Sequence, residues 1–298
     1  MATRTSIYSG IGMDLEGVST VKEALEAAKL DWTVSRRNIQ LCGGKKVKGW
    51  YANVRDTDEE VLGIVGESYQ IVQNEEALRF VDMITRCGYQ IIKAGTFRKG
   101  HNVWVLVKLD SFDLVGDETE NYLLIQNSFD GSGSIKICIT PIRVWCQNML
   151  ALAFRKAKQS VCLKHTKSVK ENIERVPEIL GLAQEYTVEL ADYAQEMVRK
   201  TVDDFQLRSI LNGLFPITEK SSELQKKRAE ENKEAFMICY AAPDLARFRG
   251  TAWGVINAVA DLSNHSISHK ETKNYVENYL SRAVTGDALL RKVSRMVR

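Results

Sequence analysis

The sequence predicts an α+β protein, in which an antiparallel β-sheet with packed helices (a β-β-β-α core) precedes a helical C-terminal part. Two observations predict this class. Apolar runs typical of strands lie before about residue 165, and they do not alternate strictly with helical segments. Beyond that residue, apolar positions recur at helical spacing and few β-branched runs remain. We therefore expect an α+β core domain over residues 1–165 and a mainly helical region over residues 166–298.

Two helices are predicted in the first part of the chain from their capping residues. The segment 19–30 is expected to be a helix that begins in a capping box, with Ser19 or Thr20 as the N-cap. A second helix is expected to begin with Asn74 as its N-cap and to end at Gly88. Both would pack on the sheet.

The strands are predicted from β-branched and aromatic runs that turn residues separate. Val103, Val105 and Val107 alternate with other residues, so their side chains are expected to face one way. The expected strands are 50–54 and 61–65, which form a hairpin around an acidic turn, and then 89–97, 101–109, 122–126 and 134–139.

A helix over residues 141–158 is predicted to follow the last strand. Thr140 and Pro141 have the form of an N-cap followed by proline at the first helical position. Four apolar residues recur at helical spacing, namely Ile142, Trp145, Met149 and Leu152. Further helices are expected over 171–200, 205–214, 221–240 and 251–262.

Composition excludes several classes of protein. The 298 residues are 44% hydrophobic and 27% charged, which is typical of a soluble domain with a real core. No apolar run approaches the length of a transmembrane helix, and no secretory signal is visible, so we expect a cytoplasmic protein without a membrane partner. The six cysteines are scattered without a CxxC pair, which favours reduced thiols over a zinc site.

The distribution of charge is the strongest functional signal. The whole chain has a formal charge of only +3, yet Gly131 to Lys170 contains eight Lys or Arg residues and no Asp or Glu. On the predicted helix, Arg143, Phe154 and Lys158 would lie opposite the apolar stripe, where cations could meet phosphates and an aromatic ring could stack on bases. A tail that contains Lys164, His165, Lys167 and Lys170 would extend this positive strip. The alternative is an ordinary solvated helix face.

Two turns are further candidates. Arg98, Lys99 and His101 form a basic turn beside aromatic residues, which is typical of hairpins that clamp a nucleic-acid backbone and also of ordinary exposed turns. Residues 126–134 are rich in small residues whose backbone N–H groups could bind an anion, although an Asx-type turn at Asp130 is the simpler interpretation. The predicted nucleic-acid-binding residues are Arg98, Lys99, Lys136, Arg143, Phe154, Arg155, Lys156, Lys158 and Lys164.

Catalysis is not expected. The four histidines are dispersed, and the pair at positions 265 and 269 lacks the glutamate of a zinc protease motif. The densest acidic run, 110–120, is typical of a surface loop and not of the carboxylate cluster that holds two metals. We therefore assign no catalytic residue, no metal ligand and no cofactor.

Three blocks of sequence carry a family resemblance. They are ESYQIVQNEEA (67–77), NSFDGSGSIKICITPIRVWCQNML (127–150) and GTAWGVINAVADLSNH (250–265). They resemble the phage/plasmid-like family known only as a domain of unknown function, with its DGS loop, TPxRVxCxNxL and AWGxxNAV motifs. The resemblance implies a phage or plasmid origin and no established activity. Phe129 stands where the family pattern has a histidine, which puts a role for that side chain in doubt.

A resemblance in topology adds a functional expectation. A helix, three or four strands and a further helix is an order similar to that of single-strand annealing proteins such as RecT and Red-beta. It implies a homo-oligomer that holds single-stranded DNA in a basic groove beside a β-hairpin. We therefore expect a non-enzymatic mobile-element protein for single-strand annealing or recombination. The alternative is a phage anti-defence protein that inhibits a host complex through protein–protein contact.

Overall fold

Two antiparallel sheets and a set of helices form the described part of the chain. A computed structural model describes residues 12–15, 17–131, 134–143, 160–165, 177–265 and 287–298. The predicted α+β class is confirmed, because the strands all precede the longer helices of the C-terminal part.

The strands divide into a small and a large sheet. The small sheet has the order β2-β3-β4, and the large sheet has the order β1-β5-β6-β7-β8-β9. The strands are β1 (Met13–Asp14), β2 (Val34–Gln40), β3 (Lys46–Arg55), β4 (Val61–Gly66), β5 (Gln90–Phe97), β6 (Asn102–Leu114), β7 (Asp117–Ser128), β8 (Ser134–Arg143) and β9 (Ser160–Lys164). The hairpin predicted around the acidic turn is thus β3-β4. Val103, Val105 and Val107 all join the main core, as expected from their alternation.

The helices of the first part are short. Thr20 and Glu23 form the predicted capping box. Asn74 is not an N-cap, because its side chain is buried and its Nδ2 donates to the carbonyl of Leu30 at 3.0 Å. The single helix expected there is two short ones. The helices are α1 (Val21–Ala27), α2 (Asn74–Leu78), α3 (Val81–Arg86), α4 (Pro177–Arg199), α5 (Asp204–Leu214), α6 (Glu223–Tyr240), α7 (Ala252–His265) and α8 (Ala288–Met296).

The prediction of a helix beginning at Pro141 was wrong, because β8 continues to Arg143. Thr140 pairs with Tyr122 of β7 and its hydroxyl donates to the Tyr122 carbonyl, so it does not cap a helix. Proline is tolerated here because β9 pairs only with the start of β8, and Pro141 has one neighbour among the described strands. The remainder of the predicted helix, residues 144–158, lies outside the described residues.

The helical part contacts the large sheet directly. Asn121 of β7 donates from Nδ2 to the Thr187 hydroxyl of α4 at 2.7 Å, and Arg247 forms an ion pair with Asp117. α7 is buried from Ala252 to Asn264 and packs against α4, α6 and α8. The division at residue 165 into two domains stays a prediction. In the described ranges, none of the helices combines the length and apolarity that crossing a bilayer requires.

Candidate nucleic-acid interface

Strand register brings three separate segments to one end of the large sheet. Phe97 pairs with Asn102 across the turn 98–101, and Asn102 pairs with Ser128 at the end of β7. Across the next two strands, Ser134 pairs with Lys164. Neighbouring strands lie about 4.8 Å apart, so this end of β5 to β9 spans roughly 20 Å. The turn 98–101, the loop 129–131 and the end of β9 therefore lie along one edge.

Four of the predicted cations lie at or near this edge. Lys99 and Lys164 are exposed, Arg98 is half-exposed, and Lys136 is partly exposed. Lys136 pairs with Cys162, so Lys136 and Lys164 are diagonal neighbours on one face of the sheet. We call the set of Arg98, Lys99, Lys136 and Lys164 the sheet-end cluster.

The turn that carries Arg98 and Lys99 has an uncommon backbone. Both residues have left-handed φ angles, 51° and 54°, and Gly100 follows with φ 99°. A left-handed residue other than glycine costs on the order of 1 kcal/mol or more. The Arg55 guanidinium stabilises the turn, since it donates to the Lys99 carbonyl at 2.9 Å and lies over the Trp32 ring. The Lys99 carbonyl is therefore held while its side chain extends into solvent.

The glycine loop, Phe129–Gly131, is also fixed by the small sheet. The Phe129 ring is fully buried against Trp32, with ring centroids 5.5 Å apart. Asn53 of β3 donates to the Phe129 carbonyl at 2.7 Å. A methyl group on Gly63 of β4 would lie 2.5 Å from the Asp130 Cα, so only glycine allows this approach. The loop thus has a defined conformation beside the basic turn.

Asp130 partly neutralises the basic turn. Its carboxylate lies 3.8 Å from the Arg98 guanidinium and is mostly buried. The charge of Lys99 is neutralised only weakly, since its Nζ lies 4.0 Å from the Glu60 carboxylate. Asp130 therefore orients Arg98, and Lys99 is better placed than Arg98 to attract an anion.

His165 directly follows β9 at the same end of the large sheet, and it is buried. The expectation that it extends a positive strip was therefore wrong. Its Nδ1 lies 3.2 Å from the Gln70 carbonyl and its ring is 5.0 Å from that of Tyr69, whose hydroxyl donates to the Ser128 carbonyl. Since a carbonyl only accepts, Nδ1 carries the proton. Burial lowers the pKa of His165, and the nearby Gln70 carbonyl and Asp130 only partly offset this. The folded protein therefore favours neutral His165.

This burial predicts a loss of stability on mild acidification. The unfolded chain takes up a proton on His165 near pH 6.5, and the folded protein does so only at lower pH. The unfolded state then binds more protons, so the free energy of unfolding falls as the pH is lowered through about 6.5. Urea unfolding at pH 7.5 and 5.5 should show a smaller fall for His165→Gln than for the wild type. Equal falls in the two proteins would contradict this role, because other groups titrate alike in both.

The remaining predicted residues are not brought to this edge. Arg143 and Ser134 are the two ends of β8, a strand of ten residues. The distance between them along the strand is about 30 Å. Arg143 belongs to a strand, so its expected place on a basic helix face was wrong. Phe154, Arg155, Lys156 and Lys158 lie outside the described residues, and their roles stay predictions.

A second basic window, which was not predicted to belong to a site, lies beside the glycine loop. Trp32 to Arg55 contains six Lys or Arg residues and no Asp or Glu. It forms β2 and β3, whose inner face holds the glycine loop through Asn53. A search for acid-free windows along the whole chain would have found it. In the described ranges, no three His, Cys, Asp or Glu side chains come together as they would around a metal ion.

Comparison with known proteins gives one match. The model of a family described as Domain of unknown function (DUF932) matches residues 61–285. No curated protein and no solved structure matches the chain. The matched range includes the whole sheet-end cluster, whereas β2 and β3 precede it.

Proposed function

Because the chain belongs to the DUF932 family, a domain of unknown function, we propose its function from the site itself: it binds single-stranded nucleic acid at the sheet-end cluster. The observation that carries this proposal is the convergence of Lys99, Lys136 and Lys164 with Arg98 on one edge. The turn with Arg98 and Lys99, the strand with Lys136 and the strand with Lys164 are separate in sequence, and strand register brings them to one end of the sheet. Lysine ammonium groups bind phosphates as point charges, and such contacts set affinity without reading sequence.

The site is suited to holding a strand. The basic turn and the glycine loop are fixed by Arg55 and Asn53, so little ordering cost would oppose binding. An edge roughly 20 Å long can contact several successive phosphates. The proposal assigns these residues to binding, and it gives none of them a catalytic step or a cofactor.

The wider setting that we propose is a phage or plasmid protein in the cytoplasm of a host cell. There it would act as a homo-oligomer in single-strand annealing or recombination. The motif blocks at 67–77, 127–150 and 250–265 support the mobile-element origin. The annealing role rests on the order of elements expected from the sequence, whose last helix was expected at 141–158; β8 occupies the start of that range, and residues 144–158 lie outside the described part of the chain. Both supports are resemblances, and the binding proposal does not depend on them.

Fluorescence anisotropy tests the binding proposal. Labelled oligo-dT and oligo-U are each titrated with purified protein at about 50 mM salt, where phosphate contacts contribute strongly. We expect saturable binding to DNA or RNA single strands. No binding to either at this salt concentration would overturn the proposal.

One observation favours the second candidate, a protein that inhibits a host defence complex by direct contact. α5 and α6 carry the exposed apolar side chains Phe205 and Ile238. Exposed apolar side chains of this kind can mark protein-binding surfaces. This candidate predicts that a host complex co-purifies after nuclease treatment and is lost on Ile238→Glu, while oligonucleotide binding is unchanged. Loss of the complex on nuclease treatment would favour the first candidate instead.

A further inference from the structure

One face of the small sheet carries two exposed large apolar residues, Trp50 and Ile64. Arg37 pairs with Ala52, and Ala52 pairs with Ile64, so these three residues share a face. Trp50 lies two residues from Ala52 in β3 and shares that face, because side chains alternate along a strand. Trp50 is 53% exposed and Ile64 is 57% exposed. We call Arg37, Trp50, Ala52 and Ile64 the aromatic face.

The opposite face of the small sheet is fully engaged. Asn53 is buried and holds the Phe129 carbonyl, Gly63 lies against Asp130, and Val65 is buried near Gly131. The small sheet thus contacts the glycine loop through the side chains of Asn53 and Val65 and through Gly63. The aromatic face is therefore the face of the small sheet that points away from the glycine loop. The glycine loop itself lies at the end of the large sheet that carries the sheet-end cluster.

The cations around the aromatic face are of two kinds. Arg36 and Arg55 are used structurally, because Arg36 donates to the Tyr69 carbonyl and Arg55 donates to Asp58 and the Lys99 carbonyl. Three lysines in the β2-β3 hairpin are exposed, namely Lys45, Lys46 and Lys48. Arg37 lies 3.7 Å from Asp56, which is the first acidic residue after the basic window. The three exposed lysines therefore lie toward the Trp50 end of the small sheet, where Glu67 follows β4, whereas the acidic turn 56–60 lies at the other end.

We propose that the aromatic face stacks the bases of single-stranded nucleic acid, with Trp50 as the stacking residue and the hairpin lysines on the phosphates. This inference rests on the proposed function, and it adds a surface that the sheet-end cluster does not include. The occupant is inferred from charge, because an exposed tryptophan near three exposed lysines suits a polyanion that also presents flat apolar groups. Bases of single strands are available for such stacking, and it is tolerant of sequence.

The face also predicts selectivity between strands. In a duplex the bases are already stacked and only their edges are accessible in the grooves. Trp50 can therefore contribute to binding of a single strand and adds little to binding of a duplex. Lysines contribute to both, since the phosphates are present in both.

The test compares three probes: oligo-dT, an abasic oligonucleotide with the same number of phosphates, and a duplex. Base–aromatic stacking predicts that Trp50→Ala weakens oligo-dT binding by roughly tenfold or more. The affinity of Trp50→Ala for the abasic strand and for the duplex should stay within about twofold of that of the wild type. The substitution removes a stacking ring and leaves all phosphate contacts in place. Trp50→Phe should restore most of the oligo-dT affinity, because phenylalanine also offers an aromatic ring.

Phe205→Ala is the matched control, because Phe205 is an aromatic residue in the helical part with 81% exposure. Its oligo-dT affinity should equal that of the wild type. If the wild type binds oligo-dT and Trp50→Ala binds it equally well, the aromatic face does not stack bases and only this inference fails. If the wild type binds no oligonucleotide, both proposals fail. Equal weakening on all three probes would show a structural role for Trp50 and would also overturn the inference.

Discussion

Replacing Phe129 by alanine is expected to lower the free energy of unfolding by about 3–5 kcal/mol. The ring is fully buried and packs against Trp32, so its removal loses apolar burial and leaves a cavity. The surrounding structure can fill the cavity only partly, because two hydrogen bonds hold the Phe129 backbone in place. Asn53 donates to the Phe129 carbonyl, and the Phe129 N–H donates to the His101 carbonyl. Urea unfolding followed by circular dichroism measures the change.

Phe205→Ala serves as the control for this prediction. Phe205 is exposed, so its truncation should change the free energy of unfolding by no more than about 0.5 kcal/mol. A loss below about 1 kcal/mol for Phe129→Ala would mean that the ring does not anchor the glycine loop. At this position the side chain supports the loop from inside the core and is not accessible to a ligand.

The combined variant Lys99→Ala, Lys136→Ala and Lys164→Ala is expected to lose roughly 100-fold in affinity for oligo-dT. Each exposed charge contact contributes about 1 kcal/mol, and three such contacts correspond to about two orders of magnitude. The substitutions remove no buried side chain, so the fold should be retained. Anisotropy titrations at about 50 mM salt measure the change.

A second triple variant separates the position of the charges from their number. Lys220→Ala, Lys226→Ala and Lys227→Ala remove three cations from the helical part, before and within α6. This control should bind oligo-dT within about threefold of the wild type, because only long-range attraction changes and salt screens it. If both triple variants weaken binding equally, net charge and not the sheet-end cluster determines affinity.

Most strands and helices could be predicted because their signals are local. The capping box at Thr20, the hairpin around the acidic turn and the alternation of Val103, Val105 and Val107 are each contained in a few residues. Pro141 was assigned wrongly because a Thr-Pro pair has the same form at a helix start and at a poorly paired strand position. Only the long partner strand β7, distant in sequence, decides between the two.

The candidate site was predicted as separate pieces. The basic turn, the glycine loop and Lys164 were each singled out, but their meeting at one edge depends on the register of five strands. Asn74 shows the same limit, since its buried bond to the Leu30 carbonyl has a partner 44 positions away. Trp50 was not predicted as a site residue, because a tryptophan in a strand is ordinarily expected to be buried. Its exposure to solvent is visible only in the structure.

The salt dependence of oligo-dT binding tests the sheet-end cluster most directly. For single strands, the slope of log K against log salt concentration changes by about 0.7 for each phosphate contact. The wild type and the Lys99, Lys136, Lys164 triple variant are titrated side by side between about 50 and 200 mM salt. If the three lysines bind phosphates, the slope of the wild type is steeper by about 2. Equal slopes would show that these lysines do not contact the nucleic-acid backbone.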